Sequence, residues 1–432
     1  MGAAGNERRQ ARGVGYPTAF AASVLLAFSL LSACSFLPRE TFTAKEDAIA
    51  EASGVPGARF WIDSSGADLQ AFLRKASSRQ EARHAKTLAD AIEATGRFDV
   101  LALSGGGYDG AFGAGLVAGW TSTGTRPRFT VVTGVSAGAL IAPFAFLGPE
   151  YDRQAETAFE GDMPNTLGEL ESVLSLLGSS DFRRESLASL VDKHLNESLL
   201  AAVAAEYAKG RRLYVVTSNL DAQRGVVWDM GAIAASGSPN ARALFRDVLI
   251  ASASIPGVFS PTYIDVEANG HYFREMHVDG GAITQVFVLP DAFLAGGMAF
   301  ANPKGAPTHI WVVINNRLTP EFEVVQPGVL STVSRSFSTL IKSSSKETLF
   351  ATQRVVGQER FNLTYIDDRF ADWLRTNYGP DVSPGFNATY VRALYRYAYM
   401  KAASGRAWTH EVPLPKAMPL TRSAAAGDAR QK

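Results

Sequence analysis

The chain has 432 residues, of which 46% are apolar, and it carries 42 basic and 42 acidic side chains. This length and apolar content are ample for a large core in one or two domains. A formal net charge of zero, without blocks of like charge, gives no electrostatic footprint for nucleic acid, so we expect a neutral or amphiphilic partner.

The N-terminal region has the order of a bacterial signal peptide. Three arginines between positions 8 and 12 precede an apolar run at residues 19–31, which is too short for a comfortable transmembrane helix. The run ends in Leu-Ser-Ala-Cys34, which resembles the lipobox of bacterial lipoproteins, where the cysteine becomes the lipid-modified first residue. We therefore interpret residues 1–33 as a signal peptide and Cys34 as the site of lipid attachment.

Cys34 is the only cysteine of the chain, so a disulfide framework is impossible. The alternative, a buried thiol in an ordinary helix, requires the signal-peptide interpretation to be wrong. A cysteine carrying more than one acyl chain, such as palmitate, would hold the protein stably on a membrane surface. By the lipoprotein resemblance, Ser35 after the cysteine favours the outer membrane of a Gram-negative cell.

Residues 34–96 show little strand character, and positions 68–95 are rich in alanine with charges distributed along them, as in a solvated helix. We interpret this region as a partly helical spacer between the anchor and a catalytic core at residues 97–290. The alternative, in which the region packs as the first layer of the core, is equally open for four apolar side chains: Leu69, Phe72, Leu73 and Leu88.

The predicted core begins with an apolar strand at residues 98–103, followed by the loop Ser-Gly-Gly-Gly-Tyr-Asp-Gly at residues 104–110 and a helix of small residues. This arrangement favours anion binding. The loop also matches the dinucleotide fingerprint G-x-G-x-x-G, which would predict a nicotinamide or flavin protein instead. That alternative requires an acidic residue at the end of the next strand. The chain has Thr-Gly-Val-Ser136 there, so the ribose-binding part is missing.

A second motif lies at the end of that next strand, where Gly134-x-Ser136-x-Gly138 matches a nucleophile elbow. The two glycines let strand and helix pack too closely for a Cβ, so the serine hydroxyl stands exposed at the corner. The helix that begins there points its N-terminal amides at whatever the serine attacks. In a chain with 39 glycines the motif alone is weak, and a tight strand-to-helix turn is the simpler interpretation.

Apolar runs without alternation recur at residues 212–218 and 309–314, and helical segments lie between the strands, for example at 195–209 and 241–253. The alternation predicts an α/β fold: a three-layer sandwich around a mainly parallel central sheet. The glycine loop and Ser136 would then emerge at the same carboxyl edge of that sheet, where ligands bind. We expect the loop to donate backbone N–H groups to the oxyanion that forms when the serine attacks a carbonyl.

A nucleophilic serine requires a base, and none of the six histidines is well placed. Four lie in helices, in the tail or at a strand start, while His271 and His277 lie on a strand rather than past its end. Asp279, in contrast, stands at a strand end, and two glycines clear space beside it. Taken alone, Asp-Gly-Gly is most often a plain turn.

A glycine-rich loop, then G-x-S-x-G, then Asp-Gly-Gly in this order resembles the patatin-like phospholipase family. Residues 251–261 also resemble that family's Ala-Ser-x-x-x-Pro-x-x-Phe-x-Pro stretch. The resemblance covers residues 98–290 and implies a patatin-like fold and a lipid acyl hydrolase that uses a Ser–Asp dyad without histidine, metal or cofactor. It also implies these roles: nucleophile Ser136, base Asp279, oxyanion hole Gly105, Gly106 and Gly107, and elbow glycines Gly134 and Gly138.

Two departures bear on activity. The family loop usually has Arg or Lys before its last glycine, where this chain has Asp109, and the Asn-rich segment after Asp-Gly-Gly is replaced by residues 282–286. A carboxylate near a developing oxyanion would oppose catalysis if it pointed inward. The sequence therefore predicts a membrane-anchored serine acyl hydrolase of phospholipase, lysophospholipase or esterase type. The alternative is a catalytically weak or inactive relative that binds lipid or a partner.

The remaining chain is expected to continue the core over residues 291–416. Residues 331–345 are rich in serine and are a candidate lid. A helix at residues 386–403 carries an apolar stripe that is typical of core packing, although its tyrosines and arginines would also suit a membrane interface. Residues 417–432 are predicted to form a disordered tail.

Overall fold

The computed structural model describes residue 2 and residues 39–82, 85–167, 180–294, 305–320, 324–325 and 327–413. The chain divides into a unit at residues 1–42 and a unit at residues 43–432, and the fold below is that of the second unit. The predicted signal peptide, Cys34 and the tail at 417–432 lie outside the described residues.

The described strands join in one mixed sheet, with the order β1-β7-β8-β5-β4-β3-β9-β10 and with β6 pairing to β5 and β2. In chain order the strands are β1 Glu51–Ala52, β2 Arg59–Trp61, β3 Phe98–Leu103, β4 Val131–Val135, β5 Arg212–Asn219, β6 Arg224–Asp229, β7 Thr262–Ala268, β8 His271–Asp279, β9 Thr308–Ile314 and β10 Phe361–Tyr365.

Helices connect and cover these strands. The main ones are α1 Ala44–Ile49, α2 Gly66–Ala82, α3 Leu88–Thr95, α4 Gly110–Ser122, α5 Ala137–Leu147, α6 Asp152–Glu156, α7 Ser180–His194, α8 Glu197–Ala208, α9 Met230–Ala234, α10 Ala241–Ser252, α11 Asp291–Leu294, α12 Val329–Val356, α13 Arg369–Tyr378 and α14 Ala388–Ala403. A π-helical turn at Thr157–Asp162 follows α6.

Five adjacent strands, β5, β4, β3, β9 and β10, run parallel to one another. Every residue of β3 and β4 is buried, because helices cover both faces. Val100 packs into a cluster with Ile92 of α3 and Leu349 of α12. On the opposite face, the Trp311 ring lies 4.7 Å from the Trp120 ring of α4. The predicted α/β fold with a mainly parallel central sheet between helices is therefore confirmed.

Beyond β5 the sheet becomes antiparallel. β5 pairs with β4 through residues 212–216, and its last three residues pair antiparallel with β8, so that Thr217 lies opposite Asp279. This register brings the end of β8 beside the carboxyl ends of the parallel strands.

The N-terminal region differs from the spacer interpretation. β1 pairs with β7 and β2 pairs with β6, so residues 51–61 belong to the sheet. Of the four apolar side chains named for the alternative, Leu69 is 1% exposed and Leu73 is 36% exposed, so only part of this set packs on the core. Strands of two and three residues carry no period that a sequence pattern can reveal, which explains why they escaped prediction.

Helix α14 lies against α4 at very short range. A Cβ on Gly115 or Gly119 of α4 would come within 2.2 or 2.3 Å of the backbone oxygens of Tyr395 and Tyr399, so only glycine permits this approach. The apolar stripe of α14, including Leu394, is buried in this contact. The helix predicted at 386–403 therefore packs in the core rather than presenting that stripe at a membrane interface.

Two further features complete the architecture. The serine-rich stretch at residues 331–345 lies inside α12, and its role as a lid stays a prediction. Among the described helices, none combines the length and the apolar character that spanning a membrane would require.

Candidate active site

Ser136 occupies the corner between β4 and α5 in a strained conformation, with φ 55° and ψ −125°. A positive φ in a non-glycine residue costs about 1–3 kcal/mol and persists only where the surroundings impose it. They do so here, because a Cβ on Gly134 would lie 2.5 Å from the Gly138 oxygen, and one on Gly138 would lie 2.3 Å from the Leu103 oxygen. Both elbow glycines thus allow the close packing that the motif predicts.

The backbone of the corner is held from the α10 side. The Ser136 N–H donates to Ser252 Oγ at 3.0 Å, and that hydroxyl donates to the Val216 carbonyl at 2.7 Å. Ser252 belongs to the stretch at 251–261. This segment therefore forms a helix end and also holds the backbone of Ser136. The nucleophile candidate is therefore fixed on two sides before any ligand binds.

Asp279 lies directly beside this serine, although 143 positions separate them along the chain. The Ser136 hydroxyl donates to Asp279 Oδ2 at 2.6 Å, and the Gly281 N–H donates to Asp279 Oδ1 at 2.7 Å. The backbone of Asp279 is fixed by its N–H bond to the Ser254 carbonyl at 2.9 Å. Serine and aspartate are 5% and 1% exposed, so the pair is almost completely shielded from water.

Burial raises the pKa of Asp279 to about 7, although the hydrogen bonds from Ser136 and Gly281 act in the opposite direction. None of the charged side chains of the described residues contributes to this shift. The carboxylate can therefore exchange a proton near neutral pH, which is the range in which a general base works best.

The backbone N–H groups of the glycine loop differ in whether they are already hydrogen-bonded. The Gly105 N–H donates to the Gln285 carbonyl at 3.0 Å, so this group is not free to bind an oxyanion, contrary to the assignment from sequence. Gly105 is needed for space instead, because a Cβ there would lie 3.0 Å from Ser136 Cβ. Within the described residues, the N–H groups of Gly106 and Gly107 donate to no protein acceptor, and these two remain as candidate donors.

Asn315 supports this loop and was missed by the sequence analysis. Its N–H donates to Ser104 Oγ at 2.8 Å, and its side-chain Nδ2 donates to the Ser104 carbonyl at 2.7 Å. Gly106 packs so closely on it that a Cβ would lie 2.1 Å from the Asn315 oxygen. The available signal was a polar residue directly after the apolar strand β9, at the carboxyl edge where sites form.

Asp109, the acidic departure in the loop, is held by α14. Its Oδ1 accepts a hydrogen bond from the Tyr390 hydroxyl at 2.8 Å. Burial, followed by the charge of Asp109, holds the pKa of Tyr390 well above its usual range, so the phenol stays a donor. The carboxylate that would oppose an oxyanion is thus engaged on the side of the loop that faces α14.

His277 lies close in sequence to Asp279 but serves another purpose. Hydrogen bonds of 2.9 Å join its Nδ1 to Thr217 Oγ1 and its Nε2 to Glu275 Oε2. Both ring nitrogens are therefore engaged, and burial lowers the pKa of this histidine. In the described part of the chain, no histidine bonds to the serine or to Asp279, and no three His, Cys, Asp or Glu side chains converge as metal ligands.

The geometry is that of a serine–carboxylate site at the carboxyl edge of an α/β sheet. Residues 101–290 match the model of the patatin-like phospholipase family, and they contain the elbow, Asp279 and the whole glycine loop. This part of the chain is therefore similar to the patatin-like phospholipase family, and the match supports an activity of the lipid ester hydrolase type.

Two solved structures are similar to this chain at low sequence identity. VipD from Legionella pneumophila is 13% identical, with a TM-score of 0.31, and the alignment covers 72% of this chain and 67% of VipD. The type III effector protein ExoU is 14% identical, with a TM-score of 0.29, and the alignment covers 71% of this chain and 53% of ExoU. This chain thus spans about half of ExoU. No curated protein matches the sequence.

Proposed function

We propose that this protein is a serine acyl hydrolase that cleaves carboxylic esters of lipids through a Ser136–Asp279 dyad and an acyl-enzyme. The observation that carries the proposal is the 2.6 Å hydrogen bond from the Ser136 hydroxyl to a buried, neighbouring carboxylate. A serine alone is a weak nucleophile, and an adjacent base within hydrogen-bond reach activates it. The family match is consistent with a lipid ester as substrate.

In the first half of the reaction, Ser136 Oγ attacks the ester carbonyl carbon while its proton passes to Asp279 Oδ2. The carbonyl oxygen becomes an oxyanion, which the N–H groups of Gly106 and Gly107 can stabilise, because they donate to no acceptor among the described residues and lie on the loop beside the serine. The tetrahedral intermediate then collapses. The carbon–oxygen bond to the alcohol breaks, and the alcohol leaves with the proton that Asp279 carried.

In the second half, water attacks the acyl-enzyme. Asp279 takes a proton from that water, the bond between the acyl carbon and Ser136 Oγ breaks, and the serine regains its proton as the fatty acid leaves. The raised pKa of Asp279 suits both steps, since a group near its pKa can accept and return a proton with little cost. The shielded site keeps bulk water from competing with the serine hydroxyl.

We further propose that lipidated Cys34 anchors the enzyme to the bacterial cell envelope, in the outer membrane of a Gram-negative cell. The proposal rests on the lipobox resemblance at residues 31–34 and on Ser35 after the cysteine. An anchor of this type would keep the active site at a lipid surface, where its substrate is concentrated.

Hydrolysis is tested by measuring release of fatty acid from a phospholipid, a lysophospholipid and a short-chain ester. Ser136→Ala should lower the rate by about 10³–10⁶-fold on every substrate that the wild type cleaves. A fluorophosphonate should label the wild type at Ser136 and leave the alanine variant unlabelled, which mass spectrometry can detect. If the wild type is no faster than Ser136→Ala on all three substrates, the enzyme proposal is wrong.

The anchor is tested separately from catalysis. Cys34→Ala should leave the protein unlipidated and shift it from the membrane fraction to the soluble fraction. Cys34→Ser, which keeps the approximate size of the side chain, should give the same shift because it also lacks the thiol. If Cys34→Ala stays in the membrane fraction and its mass differs from the wild type only by the substitution, the anchor proposal is wrong. The hydrolase proposal would remain intact.

A further inference from the structure

The side chain of Gln285 borders the candidate active site, although the reaction steps above do not use it. Gln285 is 2% exposed, and its amide makes no hydrogen bond to any of the described residues. Neither amide atom belongs to the fully buried polar atoms without a partner in this part of the chain, so the small exposed fraction includes both atoms. A polar group that is nearly buried, unpaired and still reachable indicates a ligand that completes its hydrogen bonds.

A tight turn brings Gln285 back to the end of β8. The Thr284 N–H donates to the Gly280 carbonyl at 2.9 Å, which closes the turn directly after Asp279. The backbone carbonyl of Gln285 then accepts from the Gly105 N–H at 3.0 Å. The backbone at Gln285 is therefore fixed between the aspartate and the glycine loop.

The two glycines beside the amide show what it faces. A Cβ on Gly105 would lie 3.0 Å from Gln285 Nε2, 3.1 Å from its Oε1 and 3.0 Å from Ser136 Cβ, so the amide and the serine border the same point. A Cβ on Gly281 would lie 2.9 Å from Asp279 Oδ1 and 3.1 Å from Gln285 Oε1. The amide thus lies beside both members of the dyad, with its oxygen on the side of Asp279.

This arrangement puts two hydrogen-bond acceptors close together. The oxygens of an ionised Asp279 accept hydrogen bonds and donate none, and the same is true of Gln285 Oε1. Neither group can therefore satisfy the other. A water molecule has two hydrogens and can donate one to each of them, whereas an alcohol has only one to give.

We propose that the Gln285 side chain is a further catalytic group, which holds the water that hydrolyses the acyl-enzyme. The inference rests on the proposed function and specifies its second half. The water oxygen attacks the acyl carbon, one hydrogen passes to Asp279 as a proton, and the other stays on that oxygen and donates to Gln285 Oε1. The bond from the acyl carbon to Ser136 Oγ breaks, Oγ takes the proton from Asp279, and the fatty acid leaves with the retained hydrogen.

The two halves of the reaction should therefore depend on Gln285 to different extents. In the first half the proton comes from Ser136, whose hydroxyl is already bound to Asp279 at 2.6 Å. In the second half the attacking water has to be oriented, and one hydrogen bond at a reacting group contributes about 10- to 100-fold in rate. Loss of the amide should slow deacylation and spare acylation.

The first test is Gln285→Met, which keeps the length of the side chain and removes both hydrogen-bonding atoms. In rapid-mixing experiments with p-nitrophenyl butyrate, the acylation rate should stay within about threefold of the wild type, while the deacylation rate falls about 10- to 100-fold. The acyl-enzyme should then accumulate, which mass spectrometry of the quenched protein detects. Ile283→Met, a change at a 40% exposed position of the same turn, is the control and should leave both rates unchanged.

Methanol gives a readout that altered packing alone would not move. Since methanol cannot donate to both acceptors, the wild-type acyl-enzyme should favour water. Gln285→Met should raise the ratio of methyl ester to free acid about tenfold, and Ile283→Met should leave this ratio constant. Equal losses of both rates in Gln285→Met, no loss in either, or an unchanged product ratio would overturn the inference while the hydrolase proposal stands.

A second variant, Gln285→Glu, tests the position of the side chain if the methionine variant folds poorly. A carboxylate beside Asp279 raises the pKa of that aspartate, so the pH of half-maximal deacylation should increase by about one unit. An unshifted profile would place residue 285 away from the dyad and contradict the inference. If the wild type forms no acyl-enzyme and releases no acid, the proposed function is wrong and the role of Gln285 is wrong with it.

Discussion

Two carboxylates on the same face of β8, Glu275 and Asp279, are equally buried and behave in opposite ways. Burial tends to raise the pKa of both. For Glu275 the Arg59 guanidinium, which binds it at 2.5 and 2.8 Å, and His277 outweigh that effect and hold the pKa at about 2. Asp279 has only a hydroxyl and a backbone N–H as partners, and its pKa rises to about 7.

The difference shows that burial by itself does not make a base. Glu275 is compensated by a buried cation, so it stays ionised and its role is structural. Hydrogen bonds fix the position of the Asp279 carboxylate, but no cation among the described residues pairs with it. Its pKa is therefore suited to catalysis near neutral pH. Within four residues, β8 thus carries one carboxylate with a lowered pKa and one with a pKa near neutrality.

The largest expected effect comes from Asp279→Asn, which removes the proton acceptor while keeping the shape of the side chain. We expect kcat/KM to fall by about 10³–10⁵-fold, because an amide cannot take the proton of Ser136. The matched change on the same strand is Glu275→Gln, which should leave kcat/KM per folded molecule within a few-fold of the wild type. Similar losses of kcat/KM in both variants would remove the distinction between the two carboxylates.

The next effect concerns stability rather than turnover. Arg59→Met removes the cation that compensates Glu275 and leaves a buried carboxylate without its partner. We expect a loss of about 3–5 kcal/mol in the free energy of unfolding, measured by urea denaturation at pH 7.5. The double variant Arg59→Met with Glu275→Gln should recover part of that loss. A loss under about 1 kcal/mol in the single variant would show that the ion pair does not compensate Glu275.

The pH dependence should show the raised pKa of Asp279 directly. Since the dyad needs the ionised carboxylate, kcat/KM should be constant above about pH 7 and fall about tenfold per unit below it. Stability has the opposite sign. Ionising buried Asp279 opposes folding, and this penalty grows from pH 4, near the pKa of an unfolded aspartate, and is complete above about pH 7.

Asp279→Asn lacks this penalty, so its melting temperature should exceed that of the wild type by about 2–5 °C at pH 8 and by little at pH 4. Differential scanning calorimetry at the two pH values measures this difference. A kcat/KM profile that is flat from pH 5 to 8, together with equal melting temperatures at pH 8, would mean that Asp279 has an ordinary pKa.

The smallest effect on activity is expected from changes around Asp109, the carboxylate of the glycine loop. Tyr390→Phe removes a hydrogen bond to Asp109, which is worth about 1 kcal/mol, and leaves the negative charge beside the glycine loop less well compensated. We expect kcat to fall about three- to tenfold with little change in KM. Adding Asp109→Asn should restore most of the rate, because the side chain at position 109 is then neutral. A double variant as slow as Tyr390→Phe alone would locate the effect in the packing of α14 instead.

Local patterns predicted the parts of the fold and candidate site that depend on neighbours in the chain. β3, β4, β5 and β9 each contain an apolar run without alternation because both faces of the parallel sheet are covered, and this pattern is readable in sequence. The corner at Ser136 is similar, since the need for glycine on either side comes from the turn itself.

Other features depend on contacts between distant segments, and no local pattern encodes them. Arg59 meets Glu275 across 216 positions, and Tyr390 meets Asp109 across 281. The hydrogen bond that engages the Gly105 N–H likewise comes from a loop after β8, at Gln285. The pairing of Ser136 with Asp279 belongs to this second group. Only the order of three motifs, taken together as a family resemblance, indicated it beforehand.

The position of β9 also has a practical consequence for work with fragments. The segment that matches the family ends at residue 290, whereas β9, at Thr308–Ile314, lies inside the sheet and pairs along the whole length of β3. A fragment that stops at residue 290 would leave that edge of β3 open, and an exposed apolar strand edge invites aggregation. Such a fragment would also lack Asn315 and helix α14, which packs against the glycines of α4. The segment that matches the family, residues 101–290, is therefore shorter than the folded unit. Fragments should keep residues 43–413 together.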